Sequence, residues 1–568
     1  MSATIGIDLG TTNSAAAVLM KGIPRLIPVN GERLLPSAVG ISPNGKLLVG
    51  KEARNQWKAD PDRTILSVKR KMGSSQAIPL GPRQFLPQEI SSFILKTLKA
   101  AAEDYLGQPV EKAVITVPAS FGDAQRRATK EAGELAGLEV IRIINEPTAA
   151  ALAFGVDEKG HEHLAVYDLG GGTFDISVME MQQGVLEVLS SFGDHYLGGD
   201  DFDKALAEFL AEELERSEGH RIRSVRKTMA RLIRSAEEAK IHLSSEVYTH
   251  MREEFLASES DLPVHLDREL SRDELLDLIE PKLTQTQEHL THALQEAKLK
   301  PADLDRVLLV GGSTRIPMVS ELIRHVMGKE PCREVNPDEA VALGAAIQAG
   351  IIDGEPIQAV LVDVAPYSLG IEVVHSDMGV MIPDVMSFLI KRNTPIPASM
   401  TEEFSTVMDN QRRVQINVYQ GEHPVASENE RMATFELKDV RPGKAGEPRI
   451  LVQFDYDASG IVHIRAKDKD TGSQEECILQ IAAPKLTAKQ RAQVKKEMPN
   501  ITARSRPMDS ARSILKKARQ LIQEKDAGET EKLRQAAEAL EKALADSDEE
   551  FAKQLEDQIV DLLYEMEW

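Results

Sequence analysis

Ile7-Asp8-Leu9-Gly10-Thr11-Thr12 returns, in altered form, as Tyr167-Asp168-Leu169-Gly170-Gly171-Gly172-Thr173. In each copy a β-type run ends in Asp-Leu and a turn of small residues follows. A second β-type run then begins, Ser14 to Leu19 after the first and Phe174 to Met179 after the second. Either copy alone also fits an ordinary strand-to-turn junction. Two hairpin loops of one design predict a duplicated fold with a cleft between its halves. A turn of Gly and Thr lets backbone N–H groups and hydroxyls approach phosphate oxygens without a Cβ in the way. An Asp at the strand end suits hydrated Mg2+, which keeps several waters and uses few carboxylates. A third loop, Gly311-Gly312-Ser313-Thr314-Arg315, follows the strand-like Val307 to Val310 and precedes a helix expected from Ile316-Pro317, whose N-terminus favours anions. Together the three loops predict nucleotide binding.

Outward from these loops, short β-type runs such as Ala113 to Val117 and Leu164 to Tyr167 alternate with helical patterns such as Phe202 to Arg216 and Lys227 to Leu243, the signature of an α/β architecture. From about residue 360 the period changes to two, as in Val414, Ile416, Val418 and Val462, Ile464, Ala466, with turns at Asp457 to Gly460 and Asp470 to Gly472. This predicts a compact, mostly antiparallel β unit. From Leu486 the pattern is helical. It opens with a possible capping box, Thr487 to Gln490, and carries apolar stripes through Leu515, Ala518 and Leu521, through Leu533 and Leu540, and through Leu555, Ile559 and Leu562. The expected divisions are 1–355, 356–363, 364–483 and 484–568. Within the connector, the apolar run Ala359 to Val362 would cost on the order of 1 kcal/mol per side chain if left wet. It is expected to dock, either as a switchable interdomain strand or, slightly favoured, as an ordinary first strand of the β unit.

Acidic residues number 90 against 68 basic ones in 568 residues, a net charge of −22, which argues against broad nucleic-acid or anionic-membrane binding. Cys332 and Cys477 are the only cysteines, so a disulfide framework is excluded and a reducing cytoplasm is expected. No export signal is expected at the N-terminus, and the Ala/Gly-rich run Ala340 to Ile352 reads as a packed helix, not a membrane span. Gly40 to Leu47 imitates a P-loop. However, Leu47 replaces the Mg2+-binding hydroxyl and no long helix follows Lys46, so a hairpin turn is expected. The absence of GxGxxG removes the main support for a dinucleotide fold.

Ile5 to Ser14 (IGIDLGTTNS), Ile144 to Gly155 (INEPTAAALAFG), Asp168 to Ser177 (DLGGGTFDIS), Leu197 to Asp203 (LGGDDFD) and Val310 to Pro317 (VGGSTRIP) together resemble the seventy-kilodalton heat-shock chaperone family over nearly the whole chain. The nearest branch is the bacterial HscC type. The resemblance implies an α/β actin-like two-lobed ATPase, a hydrophobic linker, a β-sandwich that binds extended or unfolded peptides, and a short α-helical lid. It implies ATP/ADP and Mg2+ as cofactors, with K+ as a further candidate, and a J-domain co-chaperone and a nucleotide exchange factor as partners.

Carried over by position, Gly10, Thr11, Thr12 and Asn13 would contact phosphates, as would Gly170, Gly171 and Gly172. Asp8, Asp168 and Asp175 would order the Mg2+ shell, and Thr173 would complete the γ-phosphate environment. Lys69 matches the lysine that positions the attacking water, and Glu146 the acid beside it. Gly198, Gly199, Glu237, Lys240, Ser244, Gly311, Gly312, Ser313, Arg315 and Asp338 would form the rest of the nucleotide site. Val360, Leu361, Val362 and Asp363 would be the linker. Ile371, Phe404, Val414 and Ile416 would line the peptide pocket, with Val374 and Val407 arching over it. The chain departs from the pattern at Ile241, where the family commonly places an arginine stacked on adenine, and at Pro499, which interrupts the first lid helix. Three rivals are a small-molecule kinase of the same lobed fold, an actin-like filament protein and a non-hydrolysing holdase.

Overall fold

The computed structural model describes residues 3–155, 160–218, 221–259, 262–332, 334–377, 380–478 and 530–545, with isolated positions of the C-terminal helices between 515 and 562. The expected capping box at Thr487 to Gln490 and Pro499 lie outside the described residues. Two sheets dominate the α/β part. The first runs Glu139–Asn145, Val110–Val117, Ala3–Asp8, Asn13–Met20, Ile23–Ile27; the second runs Arg306–Val310, His161–Leu169, Phe174–Gln182, Val185–Asp194. In both, the strand ending in the Asp-Leu loop lies between a parallel neighbour and its own antiparallel hairpin partner. Ile7 pairs with Ile115 and Ala16, and Asp168 pairs with Val310 and Asp175. This shared topology matches the internal repetition read in the two loops. Central strands covered on both faces read as apolar runs, which is why Ile5, Ile7, Val166 and Leu308 are buried.

Two helices, Glu146–Ala153 and Ala340–Asp353, cross where the sheets approach. Small residues permit it: a Cβ on Gly344 would fall 1.7 Å from the Ala149 carbonyl oxygen of the other helix, and one on Gly6 of the strand Ala3–Asp8 would fall 2.1 Å from the Ala346 nitrogen. The Ala/Gly-rich run is thus a packed helix. Residues Ser42 to Lys46 form the expected hairpin turn between Val39–Ile41 and Leu47–Val49.

The β unit comprises two four-stranded antiparallel sheets. One holds Leu369–Asp377, Val380–Ile390, Val414–Gln420 and Glu430–Leu437; the other holds Ala398–Phe404, Ile450–Tyr456, Val462–Asp468 and Gln474–Ile478. Alternate residues from both, including Ile371, Val418, Phe454 and Ile464, share one core. At the C-terminal end Leu515, Ala518, Leu533, Leu540, Leu555 and Ile559 meet in a separate core, so the three apolar stripes face one another.

The connector departs from the slightly favoured expectation. Val360–Val364 is not simply the first strand of the β unit. Val360, Leu361 and Val362 add in parallel to Val185, Leu186 and Glu187 at the edge of the second α/β sheet, while Asp363 and Val364 pair with Ile396 and Pro395. An open strand edge supplies backbone partners that no feature local to the connector announces. Burial of the apolar run is incomplete: Ala359 is covered, but Val360 stays 57% exposed.

Candidate functional site

The two Asp-Leu loops meet tip to tip. A Cβ on Gly172 would fall 2.2 Å from Thr11 Cγ2, and one on Gly171 would fall 1.8 Å from Thr12 Oγ1, so only glycine permits this approach. Gly10 and Asn13 close the turn of the first loop, and Thr173 O accepts from Gly170 N at 3.1 Å in the second. Gly198 and Gly199 back the second loop, with Gly199 N donating to Gly170 O at 3.0 Å. Arg70, Asp200 and Asp201, not marked as site residues by the sequence reading, join the halves: Thr12 Oγ1 donates to Asp200 Oδ1 at 3.2 Å, and Arg70 donates to Gly172 O at 2.7 Å while pairing with Asp201. Arg70 adjoins Lys69, and the two aspartates lie in the LGGDDFD motif, so proximity to known motifs was their one signal.

The third loop reaches the same place. Gly311 has φ 82°, and a Cβ there would fall 2.4 Å from the Leu169 carbonyl oxygen. Gly312 abuts Asp338, Ser313 Oγ donates to Gly170 O at 2.9 Å, and Arg315 pairs with Asp338 at 2.8 Å. Helix Pro317–Met327 begins immediately after. From helix Arg226–Leu243, Lys240 donates to Gly199 O at 3.1 Å and pairs with Asp203 at 2.8 Å, and Glu237 pairs with Arg54 from the first half and with Arg234. Ser244 Oγ donates to Lys240 O at 3.0 Å, and Ile241 is 44% exposed.

Beneath the loops lie four carboxyl groups, the buried Glu146, Asp168 and Asp175 and the half-buried Asp8. Lys69 is buried with them and forms an ion pair with Glu146, its ammonium 5.9 Å from the Phe121 ring centre. Burial pushes Asp8 and Asp175 up to about 7 and Asp168 well above the usual carboxylate range, Glu146 adds repulsion at each, and Lys69 opposes it. Thr116 donates to Asp8 at 3.2 Å and Ser120 N to Asp175 at 3.1 Å. A buried acidic set this poorly compensated suits a divalent cation. Among the described residues, the one three-donor group with ligand atoms within 4.8 Å lies elsewhere, at His161, His163 and Glu180. The aspartates therefore fit an ion held largely through its waters, as Mg2+ is.

The site continues into the β unit. Asn145 Nδ2 donates to Asp363 Oδ1 at 2.6 Å, Thr148 Oγ1 donates to the same oxygen at 3.3 Å, and Arg126 Nη2 donates to Asn145 Oδ1 at 2.7 Å. Arg126 also donates to the carbonyls of Phe121 at 2.9 Å and Ser459 at 3.4 Å. Asp123 accepts from Val462 N at 2.9 Å, and Arg127 donates to Val462 O. Burial raises Asp363, and the Arg126 guanidinium opposes it. A second chain runs from Ser120 Oγ to His195 Nδ1 and from His195 Nε2 to Tyr367 OH, each 3.4 Å.

The Hsp70 protein family matches residues 4–81 and 76–567. The chain belongs to the Hsp70 family. Members are ATPases that use ATP and ADP with Mg2+, and membership supports a chaperone role. The mixed α/β architecture of this Hsp70 protein is consistent with an actin-like ATPase domain. No helix among its described residues is long and apolar enough to cross a membrane. In the β unit of this Hsp70 chain, Ile371 and Ile416 are buried in the shared core, with Phe404 and Val414 half-buried against it. Val374 and Val407 are exposed.

Proposed function

We propose that this Hsp70 protein is an ATP-driven chaperone whose peptide affinity is set by ATP binding and hydrolysis. The reading divides it into two actin-like lobes within 1–355, a linker at 356–363, a β-sandwich peptide domain at 364–483 and a helical lid at 484–568. The observation that carries it is the strand Val360–Val364, which extends the sheet bearing Asp168 and Asp175 and places Asp363 against Asn145, the residue before Glu146.

Thr11, Thr12, Asn13 and the Gly170–Thr173 turn hold the phosphates, and the Gly311–Arg315 loop with Glu237, Lys240, Ser244 and Asp338 frames the nucleoside. Asp8, Asp168 and Asp175 would hold hydrated Mg2+, which neutralises phosphate charge. Lys69, fixed by Glu146, orients the attacking water. In-line transfer to water depends mainly on such positioning and electrostatics. The grip draws the halves together, the Val185–Asp194 edge accepts the linker, and the sandwich is held in an arrangement that releases peptide. Hydrolysis and loss of the grip reverse this. Coupling is reciprocal, so peptide accelerates hydrolysis and ATP raises peptide off-rates.

Peptides in extended form, read through backbone hydrogen bonds and the pocket around Ile371, Phe404, Val414 and Ile416 beneath Val374 and Val407, are the ligands of the β unit. A J-domain co-chaperone, an exchange factor and a cytoplasmic location complete the proposal. Single-turnover hydrolysis with and without an apolar peptide tests it, alongside peptide off-rates with and without ATP. Stimulation in both directions is expected, and no response in either removes the coupled mechanism. Phosphoryl transfer to a sugar, or ATP-dependent sedimentation as polymer, would favour a kinase or a filament protein instead.

A further inference from the structure

His161, His163 and Glu180 place one ligand atom each within 4.8 Å of the others at the end of the second α/β sheet remote from the phosphate loops. The backbone explains the convergence. His161 and His163 are two apart on one strand and so share a face. His163 is paired directly with Glu180 on the antiparallel neighbour, and His161 with Gln182. His161 Nε2 lies 2.6 Å and His163 Nε2 3.6 Å from Glu180 Oε1, and the two rings stand edge to face with centres 5.1 Å apart. Glu162, between the histidines, is engaged separately by Arg306. Asp305 fixes the strand by accepting from the His163 backbone N–H at 2.8 Å.

We propose that these three side chains form a binding site for a divalent transition-metal ion such as Zn2+. Two imidazoles and one carboxylate are a donor set that such ions accept, with remaining positions left to water. One carboxylate oxygen already lies within 3.6 Å of both ring nitrogens. Half of the His161 side chain is exposed, at 51%, so the ion has an open approach. The site is separate from the Asp8–Asp168–Asp175 cluster in both place and chemistry: its nitrogen donors select a borderline ion, whereas that cluster offers only oxygen. It stands or falls independently of the chaperone reading.

Zn2+ titration of the full-length chain by calorimetry tests the site, in excess Mg2+ so that oxygen-only sites are already occupied, with Cys332→Ser and Cys477→Ser introduced to remove thiol binding. One equivalent of Zn2+ is expected to bind at pH 7.5. Affinity should fall by more than about tenfold in His161→Ala, in His163→Ala and in Glu180→Gln. Circular dichroism of each variant reports whether the fold is kept. If wild type takes up no Zn2+, or if the folded double variant His161→Ala/His163→Ala binds it as tightly as wild type, the three residues are a surface ion pair with a neighbouring imidazole and the proposal is overturned.

Discussion

Asn145 Nδ2 donates to Asp363 Oδ1 at 2.6 Å, joining the residue before Glu146 to the strand Val360–Val364. The same asparagine accepts from the buried Arg126, which also touches the Ser459 carbonyl of the β unit. One side-chain network therefore joins the strand Val360–Val364 to the Ser459 turn of the β unit, through the residue that precedes Glu146 in the chain.

Removing that contact should uncouple the two parts. Asn145→Ala leaves the Asp363 carboxylate and the Arg126 guanidinium each short of a buried partner, at a cost of about 1–3 kcal/mol to the docked arrangement. Peptide stimulation of hydrolysis should fall while basal hydrolysis persists. Limited proteolysis of the connector should quicken. Unchanged cleavage and full stimulation would show that the contact is incidental.

Lys69→Ala leaves Glu146 buried without its cation. Single-turnover hydrolysis should slow by about a hundredfold, the scale of losing one preorganised electrostatic contact, with nucleotide affinity little changed. An unaltered rate would support the non-hydrolysing holdase.

Gly171→Ala places a methyl where Thr12 Oγ1 now sits, 1.8 Å from the new carbon. The two loops must part, so ATP affinity should drop and the thermal stabilisation given by nucleotide should shrink. Equal thermal shifts in wild type and variant would show that the loops need not approach this closely.

Ile241→Arg supplies a guanidinium at the exposed edge of the helix carrying Glu237 and Lys240. A stacked cation contributes about 0.5–1 kcal/mol at such a site, so the ATP dissociation constant should fall by about two- to fivefold. No change would mean that Ile241 does not border the base.

His195, held between Ser120 and Tyr367 and beside Phe121, is lowered by desolvation, with the Asp194 carboxylate and the Ser120 backbone opposing the shift. Its neutral form favours the docked arrangement. That contribution is complete above its ordinary value near 6.5 and is lost as pH falls through its depressed value. Peptide stimulation should weaken below about pH 6.5 in wild type, and the profile should be flatter in His195→Gln. Parallel profiles would assign the titration to another group.

The α/β part was legible because its signals are local. Asp8 and Asp168 end strands, their turns contain Gly and Thr, and the runs around Ala113 and Leu164 show strand character. Helices at Lys227 to Leu243 and Ala340 to Ile352 were likewise visible in their periodicity and composition, and their ends fell within a residue of the observed ones. Arg126, Ser120 and His195 carried no such mark. Nothing near Arg126 in sequence shows that the guanidinium will be buried against Asn145 and Ser459, because those partners come from the end of another strand and from the β unit.

The chain alone determined which segments form strands, turns and helices, and that its first part repeats one loop design, since hydrophobic period and turn chemistry act over a few residues. Folding decided which open edge receives Val360 to Val362, how far burial raises Asp8 and Asp175, and that Asp363 meets Asn145. Strand pairing and desolvation depend on groups far apart in sequence, and only packing brings those together.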